Sequence, residues 1–263
     1  MSLAIVSQQI QISSDDDHPS SPMGAYLARP AQPGFFAGVI VAHELFGVTA
    51  DIRAITDRIA ALGYLAVAPE LYHRTAAPQT ELEKDDTGRA KGFQLMAQLT
   101  RDQAVRDIAA TMRHLSSRPD ATGQTAMVGF SLGGHIAYLA ATQLDLAATA
   151  VLYGGWIPTG EIPLSQPEPT ITLTAGIAEH GGRLLFLVGD QDQLIPIAQR
   201  RDLQDALTAA HVRHEIVTYP DTPHAFFWEG AETFRRAARD DAWQRVQDLL
   251  AAELVAHPAN PTR

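Results

Sequence analysis

The run Gly129-Phe130-Ser131-Leu132-Gly133-Gly134 joins an apolar segment, residues 124–130, to a helical one, residues 132–143. It matches the G-x-S-x-G pattern, in which a serine lies on a tight turn between a strand and a helix. Gly129 and Gly133 allow close backbone approach in such a turn because they carry no Cβ. The first N–H groups of the helix are free, so the N–H of Leu132 can donate to an oxyanion. The run predicts a nucleophilic serine, and a glycine-rich turn with an incidental serine is the alternative.

Strand and helix patterns alternate on both sides of this run, from residue 35 to the end of the chain. Near the N-terminus, residues 3–13 and 24–29 are predicted to pair antiparallel across a polar turn at 14–21. Such alternation predicts right-handed β-α-β units. With the serine turn, it indicates the α/β class and an α/β-hydrolase fold, a mostly parallel central sheet with helices on both faces. The predicted strands are 35–43, 64–68, 124–130, 147–153, 183–189 and 214–219, and the helices are 49–62, 100–115, 132–143, 197–210 and 231–256.

Two regions interrupt this alternation. Residues 70–99 are polar with a weak helical pattern, and residues 154–182 are rich in proline. We interpret both as loop excursions, the first of them crossing the top of the sheet. Because the chain shows no internal repeat, heptad run or low-complexity tract, we expect residues 1–263 to form one domain.

The bulk composition argues against several classes of protein. The chain has 263 residues, 46% of them hydrophobic, and a formal net charge of −10, which argues against nucleic acid or an anionic membrane as the main partner. It has no cysteine, which excludes disulfides, thiolate metal sites and a cysteine nucleophile. There is no signal-peptide pattern and no apolar run near the roughly 18 residues that span a bilayer. We therefore expect a cytoplasmic protein, monomer or homodimer, without nucleic-acid or membrane partners.

A serine hydroxyl needs a general base, and in this fold the acid and the histidine follow the serine in that order. Asp190 and Asp192 both follow the predicted strand 183–189. We prefer Asp192 as the orienting acid, because Asp190 comes directly after Gly189 and is suited to shaping the turn. His224 lies in the loop after the last predicted strand and can reach back over the sheet edge to the serine.

These segments together resemble the dienelactone hydrolase family, also called carboxymethylenebutenolidases, from about residue 22 to residue 252. The resemblance rests on the 129–134 run, the segments of the predicted acid and histidine, and two further stretches, His43-Glu44-Leu45-Phe46-Gly47-Val48 and Ala68-Pro69-Glu70-Leu71-Tyr72. It implies that the N–H of Leu45 is a second oxyanion donor beside that of Leu132. It also implies that Glu44 lies next to the nucleophile, and the alternative is that Glu44 only caps the turn before Thr49.

The chain departs from the family pattern in two places. The best-known members use cysteine where this chain has Ser131, and a serine must lose its proton during attack, so the family role of Glu44 need not carry over. The family's dienelactonases hold the substrate carboxylate with arginine, one of them shortly after the catalytic histidine. Here that stretch, Ala225-Phe226-Phe227-Trp228, has no cation.

Other residues could then bind the substrate. Arg89 or Lys91 could supply part of a carboxylate site, and a solvated surface role is the alternative. Phe226 and Trp228 are candidates for an apolar acyl pocket, and ordinary packing is the alternative.

The leading hypothesis is a hydrolase that cleaves a small carboxylic ester or lactone through Ser131, His224 and Asp192, by way of an acyl-enzyme. Such a reaction needs no metal or organic cofactor. A peptidase or acyl transferase on the same triad is a second possibility, but residues 70–99 are too short for the large excursion domain that would favour it. A third is a catalytically inactive protein of this fold that binds a small molecule, because fold does not guarantee chemistry.

Overall fold

The computed structural model describes residues 3–14 and 22–254. Most of the polar turn predicted at 14–21, and the end of the last predicted helix, lie outside these ranges. The strands are β1 Ile5–Ile12, β2 Met23–Pro30, β3 Phe36–Ala42, β4 Leu65–Pro69, β5 Ala121–Phe130, β6 Ala148–Leu152, β7 Arg183–Gly189 and β8 Arg213–Tyr219. The α-helices are α1 Ala50–Ala61, α2 Asp86–Met96, α3 Arg101–Ser116, α4 Leu132–Ala141, α5 Ala175–Glu179, α6 Ile197–Ala209 and α7 Arg236–Glu253.

The strands form one eight-stranded sheet in the order β1-β2-β4-β3-β5-β6-β7-β8. β2 pairs antiparallel with both β1 and β4, and every other neighbouring pair is parallel. Every residue of β3, β4 and β6 is buried, as expected for parallel strands covered by helices on both faces. The prediction of a mostly parallel α/β sheet is confirmed.

The helix after β3 shows how local signals set its ends. The Thr49 side chain caps α1 by accepting a hydrogen bond from the N–H of Ile52, which satisfies one of the free donors of the first turn. Ile52, Ile55 and Ile59 are buried on one face of the helix. Gly63 follows the helix with φ +109°, a conformation that favours glycine over residues with a Cβ.

Residues 70–99 differ from the sequence-based interpretation, because they contain a three-turn helix, α2. Asp85 caps it by accepting from the N–H of Gly88 at 2.7 Å. Gly88 and Gly92 weaken the helical pattern of this segment, but close packing needs Gly92. A Cβ at Gly92 would lie 2.8 Å from the carbonyl oxygen of Leu45. Gly92, which lowers the helix propensity here, therefore allows the close approach of α2 to the loop after β3.

Residues 154–182 fit the prediction of an excursion better. They form two short 3-10 turns, Pro163–Ser165 and Thr170–Leu173, followed by the five-residue helix α5. Across the described ranges, the helices are all too short or too polar to cross a lipid bilayer.

Candidate active site

Ser131 lies on a strained turn between β5 and α4. Its backbone has φ +51° and ψ −112°, which is costly for a residue with a Cβ and is typical of positions that the surrounding structure holds for a function. A Cβ on Gly129 would lie 2.0 Å from the carbonyl oxygen of Gly133, and a Cβ on Gly133 would lie 2.2 Å from that of Ala42. The two glycines therefore bring the turn against its own helix and against the end of β3.

A continuous chain of hydrogen bonds runs from Ser131 to Asp192. Ser131 Oγ lies 2.9 Å from His224 Nε2, and His224 Nδ1 lies 2.8 Å from Asp192 Oδ2. Because a carboxylate only accepts, Nδ1 carries the proton and Nε2 offers its lone pair to the serine hydroxyl. This arrangement suits a histidine that acts as a general base.

The two aspartates after β7 have different surroundings. Asp192 is 2% exposed, and its second oxygen, Oδ1, accepts from the N–H of Leu194 at 3.0 Å. Asp190 Oδ1 accepts from the N–H of Thr222 at 3.2 Å and so ties the loop after β7 to the loop after β8. Asp192 is therefore the one of the two that faces His224.

A cavity of about 320 Å³ opens in front of Ser131 and His224, a volume within the range of small-molecule sites. The N–H of Leu45 makes no hydrogen bond within the described part of the chain, and Leu45 and Leu132 both line the cavity. Their N–H groups are thus available beside the serine. The lining residues are Glu44, Leu45, Phe46, Lys84, Arg89, Phe93, Ser131, Leu132, Trp156, Leu194, His224, Ala225 and Thr233.

Phe226 and Trp228, the candidates for an acyl pocket, do not line this cavity. Phe226 packs edge-on against Tyr153, with ring centroids 5.3 Å apart, and Trp228 lies 4.8 Å from the ring of Phe130. Both are buried, because their large apolar surfaces are more stable in aromatic contacts within the core. Tyr153 also packs against His224, with ring centroids 5.1 Å apart. This aromatic cluster therefore helps to hold the His224 ring in position. The structure therefore favours the packing role for both residues.

Charged side chains occupy one end of the cavity. Glu44 is 5% exposed, and its carboxylate lies 3.4 Å from Lys84 Nζ, which also contacts Asp51 at 2.6 Å. Burial lowers the pKa of Lys84, but Glu44 and Asp51 outweigh it and the net shift is upward, so the lysine stays charged. Thr49 caps α1 itself, and Glu44 makes no hydrogen bond to that turn within the described ranges.

Sequence reasoning missed Lys84, because a lysine in a polar excursion looks like any solvated lysine. Of the two cations that it named, Arg89 lines the cavity, whereas Lys91 is exposed and outside the cavity wall. The Arg89 side chain is 58% exposed and lies 3.5 Å from Asp86, a surface pair of small energetic value. Its guanidinium can therefore turn to a ligand at little cost.

Two buried histidines make the stability of the protein depend on pH. Burial lowers the pKa of His43 and of His135 from 6.5 to about 4. Between these values the unfolded chain binds protons that the folded chain excludes, so stability present at pH 7 is lost as the pH falls through this window. The shift corresponds to about 3 kcal/mol per histidine at full extent. We expect urea unfolding to show a falling free energy of unfolding from pH 7 to pH 4.5.

A histidine variant isolates this contribution from that of the carboxylates. His135→Asn keeps a donor for the carbonyl of Gly155, which His135 Nδ1 contacts at 2.7 Å, and should remove about half of the part of the loss that comes from the two histidines. His211→Asn, at an exposed position, is the control and should leave the slope unchanged. An identical pH dependence of the free energy of unfolding in the wild type, His135→Asn and His211→Asn would contradict the prediction.

Comparison with known proteins places the chain in a family. The model of the dienelactone hydrolase family matches residues 23–254. A protein of Synechocystis sp. described as "Putative carboxymethylenebutenolidase" is 36% identical over 233 residues, which are 88% of this chain and 92% of that protein.

Solved structures agree with this match. A crystal structure described as "Putative Dienelactone Hydrolase" from Klebsiella pneumoniae has a TM-score of 0.82 and 31% identity, and covers 94% of this chain and 99% of that one. The dienelactone hydrolase-like promiscuous phosphotriesterase P91, at 18% identity and a TM-score of 0.77 over 95% of this chain and 99% of its own, shares the fold. From the match over residues 23–254 and these relatives, we conclude that the chain belongs to the dienelactone hydrolase family and is a hydrolase of that family.

Proposed function

We propose that the protein cleaves a carboxylic ester or lactone of a small molecule through Ser131, His224 and Asp192. The observation that carries the proposal is the unbroken series of contacts from Ser131 Oγ to Asp192, at 2.9 and 2.8 Å, beside the 320 Å³ cavity. A cavity of this size suits a small molecule better than a polypeptide, which favours an esterase or lactonase over a peptidase.

The proposed reaction has two halves. His224 Nε2 takes the proton of Ser131 as Oγ attacks the carbonyl carbon, and then returns it to the departing alcohol oxygen. Asp192 keeps the imidazole in the required tautomer and stabilises its positive form. Water, deprotonated by the same histidine, then attacks the acyl-enzyme. The bond between the acyl carbon and Ser131 Oγ breaks, His224 returns the proton to Oγ, and the acid is released. In a lactone, the departing alcohol and the released acid belong to one product molecule.

The N–H groups of Leu45 and Leu132 are the proposed oxyanion hole. Both residues border the cavity at Ser131, and two backbone donors at this place stabilise the negative oxygen of the tetrahedral intermediate. Glu44 is a nearby negative charge that would oppose such an intermediate. Its pairing with Lys84 at 3.4 Å offsets this repulsion. A carboxylate at this position is therefore compatible with a serine nucleophile.

Labelling with a fluorophosphonate probe tests the proposal. An activated serine displaces fluoride from the probe, whereas a catalytically inactive binding protein does not react. We expect one covalent adduct per chain, located on Ser131 by mass spectrometry of peptides, and hydrolysis of p-nitrophenyl acetate that stops as the label accumulates. Absence of an adduct on Ser131 would favour the binding-protein alternative.

The charged end of the cavity suggests a substrate with a free carboxylate. Lys84 and Arg89 are the cations that line the cavity within the described residues, and a charge-assisted hydrogen bond contributes about 1.5–3 kcal/mol. For a hemisuccinate aryl ester, we expect Arg89→Met to lower kcat/KM by about 10-fold or more, and to lower kcat/KM for the neutral acetate ester less. Lys84→Met should lower kcat/KM for both esters, because it also leaves the Glu44 carboxylate, 3.4 Å from Lys84 Nζ, without its counter-charge.

Lys91→Met is the matched control, because Lys91 lies in the same helix as Arg89 but outside the cavity wall. It should leave the ratio of kcat/KM for the two esters unchanged. An equal loss for both esters in the Arg89 variant would argue against a carboxylate site.

A further inference from the structure

The backbone between β3 and α1 is held at three consecutive carbonyl groups. His43 Nδ1 lies 2.6 Å from the carbonyl oxygen of Glu44, the Tyr72 hydroxyl donates to that of Leu45 at 3.1 Å, and the N–H of Leu82 donates to that of Phe46 at 3.0 Å. In contrast, the N–H of Leu45 has no partner among the described residues. The segment is thus fixed through its acceptors, while the N–H of Leu45 stays available at the cavity.

The geometry of the peptide bond connects the first of these contacts to that free donor. A trans peptide is planar, and its C=O and N–H point in opposite directions. When His43 fixes the direction of the Glu44 carbonyl, it also fixes the direction of the Leu45 N–H. The bond from Tyr72 to the Leu45 carbonyl fixes the following peptide plane, so both planes that flank the Leu45 Cα are set by side chains.

The two side chains are buried, neutral and in contact. Both are almost fully buried, and their ring centroids lie 5.0 Å apart. Burial lowers the pKa of His43 to about 4 and raises the pKa of Tyr72, so neither gains or loses charge near neutral pH. The Glu44 carbonyl only accepts, so His43 carries its proton on Nδ1.

We propose that His43 and Tyr72 are positioning residues that aim the Leu45 N–H at the oxyanion. The inference rests on the proposed function, because it needs an oxyanion beside Ser131. It assigns a task in the reaction to two side chains that do not touch the substrate. The backbone beside them is itself packed against the turn that carries Ser131, since a Cβ on Gly133 would lie 2.6 Å from the carbonyl oxygen of His43.

Two substitutions at His43 distinguish the effect of losing the hydrogen-bond donor from the effect of losing the imidazole ring. His43→Leu removes the donor and keeps an apolar side chain, whereas His43→Asn keeps a donor, because its amide nitrogen is bonded to Cγ as Nδ1 is. With p-nitrophenyl acetate, we expect His43→Leu to lower kcat by about 10- to 100-fold at nearly unchanged KM, and His43→Asn to restore most of it. Tyr72→Phe removes one hydroxyl and should lower kcat in the same way. It serves as the test variant if His43→Leu does not fold.

Phenylboronic acid supplies a second readout that a purely structural role would not change. Its tetrahedral, anionic adduct with a serine places a boron-bound oxygen where the oxyanion forms, so its inhibition constant should rise by the factor by which kcat/KM falls. Equal kinetics for the leucine and asparagine variants, or a lower kcat with unchanged boronate inhibition, would overturn the proposal. Ser131→Ala is measured in parallel. If that variant keeps full activity, the proposed function itself fails, whereas an inactive Ser131→Ala beside a fully active His43→Leu removes only the positioning role.

Discussion

Ser131→Ala is expected to lower kcat/KM for p-nitrophenyl acetate by at least about 10⁴-fold, because no other group can form the acyl-enzyme. The residual rate would come from binding and from the oxyanion donors alone. The fold should survive, since alanine removes only the hydroxyl. The measurement is a progress curve at high enzyme concentration, together with the thermal midpoint of both proteins.

Ser116→Ala is a suitable control, because Ser116 is exposed at the end of α3. It should retain full activity, which shows that a loss in Ser131→Ala comes from the missing hydroxyl. An inactive Ser131→Ala prepared in the same way then excludes a contaminating esterase as the source of the wild-type rate. Substantial hydrolysis by a folded Ser131→Ala variant would refute the serine mechanism.

Asp192→Asn is expected to lower kcat by about 10⁴-fold, by imposing the wrong tautomer on His224. The N–H of Leu194 donates to Asp192 Oδ1, so the asparagine oxygen should occupy that place and its NH₂ group should face His224 Nδ1. Nδ1 then has to accept, which puts the ring proton on Nε2. With that proton in place, His224 cannot take the proton of Ser131.

Asp190→Asn is the matched control, two residues away in the same loop. Its side-chain oxygen can still accept from the N–H of Thr222, which is 3.2 Å from Asp190 Oδ1, so its effect on kcat should be small. Both substitutions replace a carboxylate by an amide. Only the one at Asp192 should change the tautomer of His224, because only Asp192 contacts that ring. Equal losses in both variants would contradict Asp192 as the orienting acid.

The α/β architecture was predictable because its signals are local and periodic. The continuous apolar runs of β3 and β7 indicate strands buried on both faces, and caps such as Thr49 and Gly63 mark the ends of α1. The interpretation of 70–99 was less accurate, because Gly88 and Gly92 weaken its helical pattern. Gly92 is required by its contact with Leu45. Leu45 lies more than 40 residues away in the chain, so the sequence around Gly92 does not reveal this requirement.

The candidate site divides in a similar way. The order of Ser131, Asp192 and His224 at the ends of β5, β7 and β8 predicted a site at one sheet edge, since parallel strands end on the same side. Phe226 and Trp228 could not be placed from the sequence, because an aromatic residue after the histidine can turn to the cavity or to the core. Contacts with Tyr153 and Phe130 decide for the core.

By itself, the sequence determined the fold class, the family resemblance and the candidate residues around Ser131, because these depend on periodic patterns and short motifs. Only the tertiary structure decided which cation lies beside Glu44, which aspartate faces His224 and which side chains hold the peptide before Leu45. Each of these depends on side chains that meet across distant segments, as Lys84 and Glu44 do at 3.4 Å. Such tertiary contacts depend on how the whole chain packs, and they leave no local pattern in the sequence.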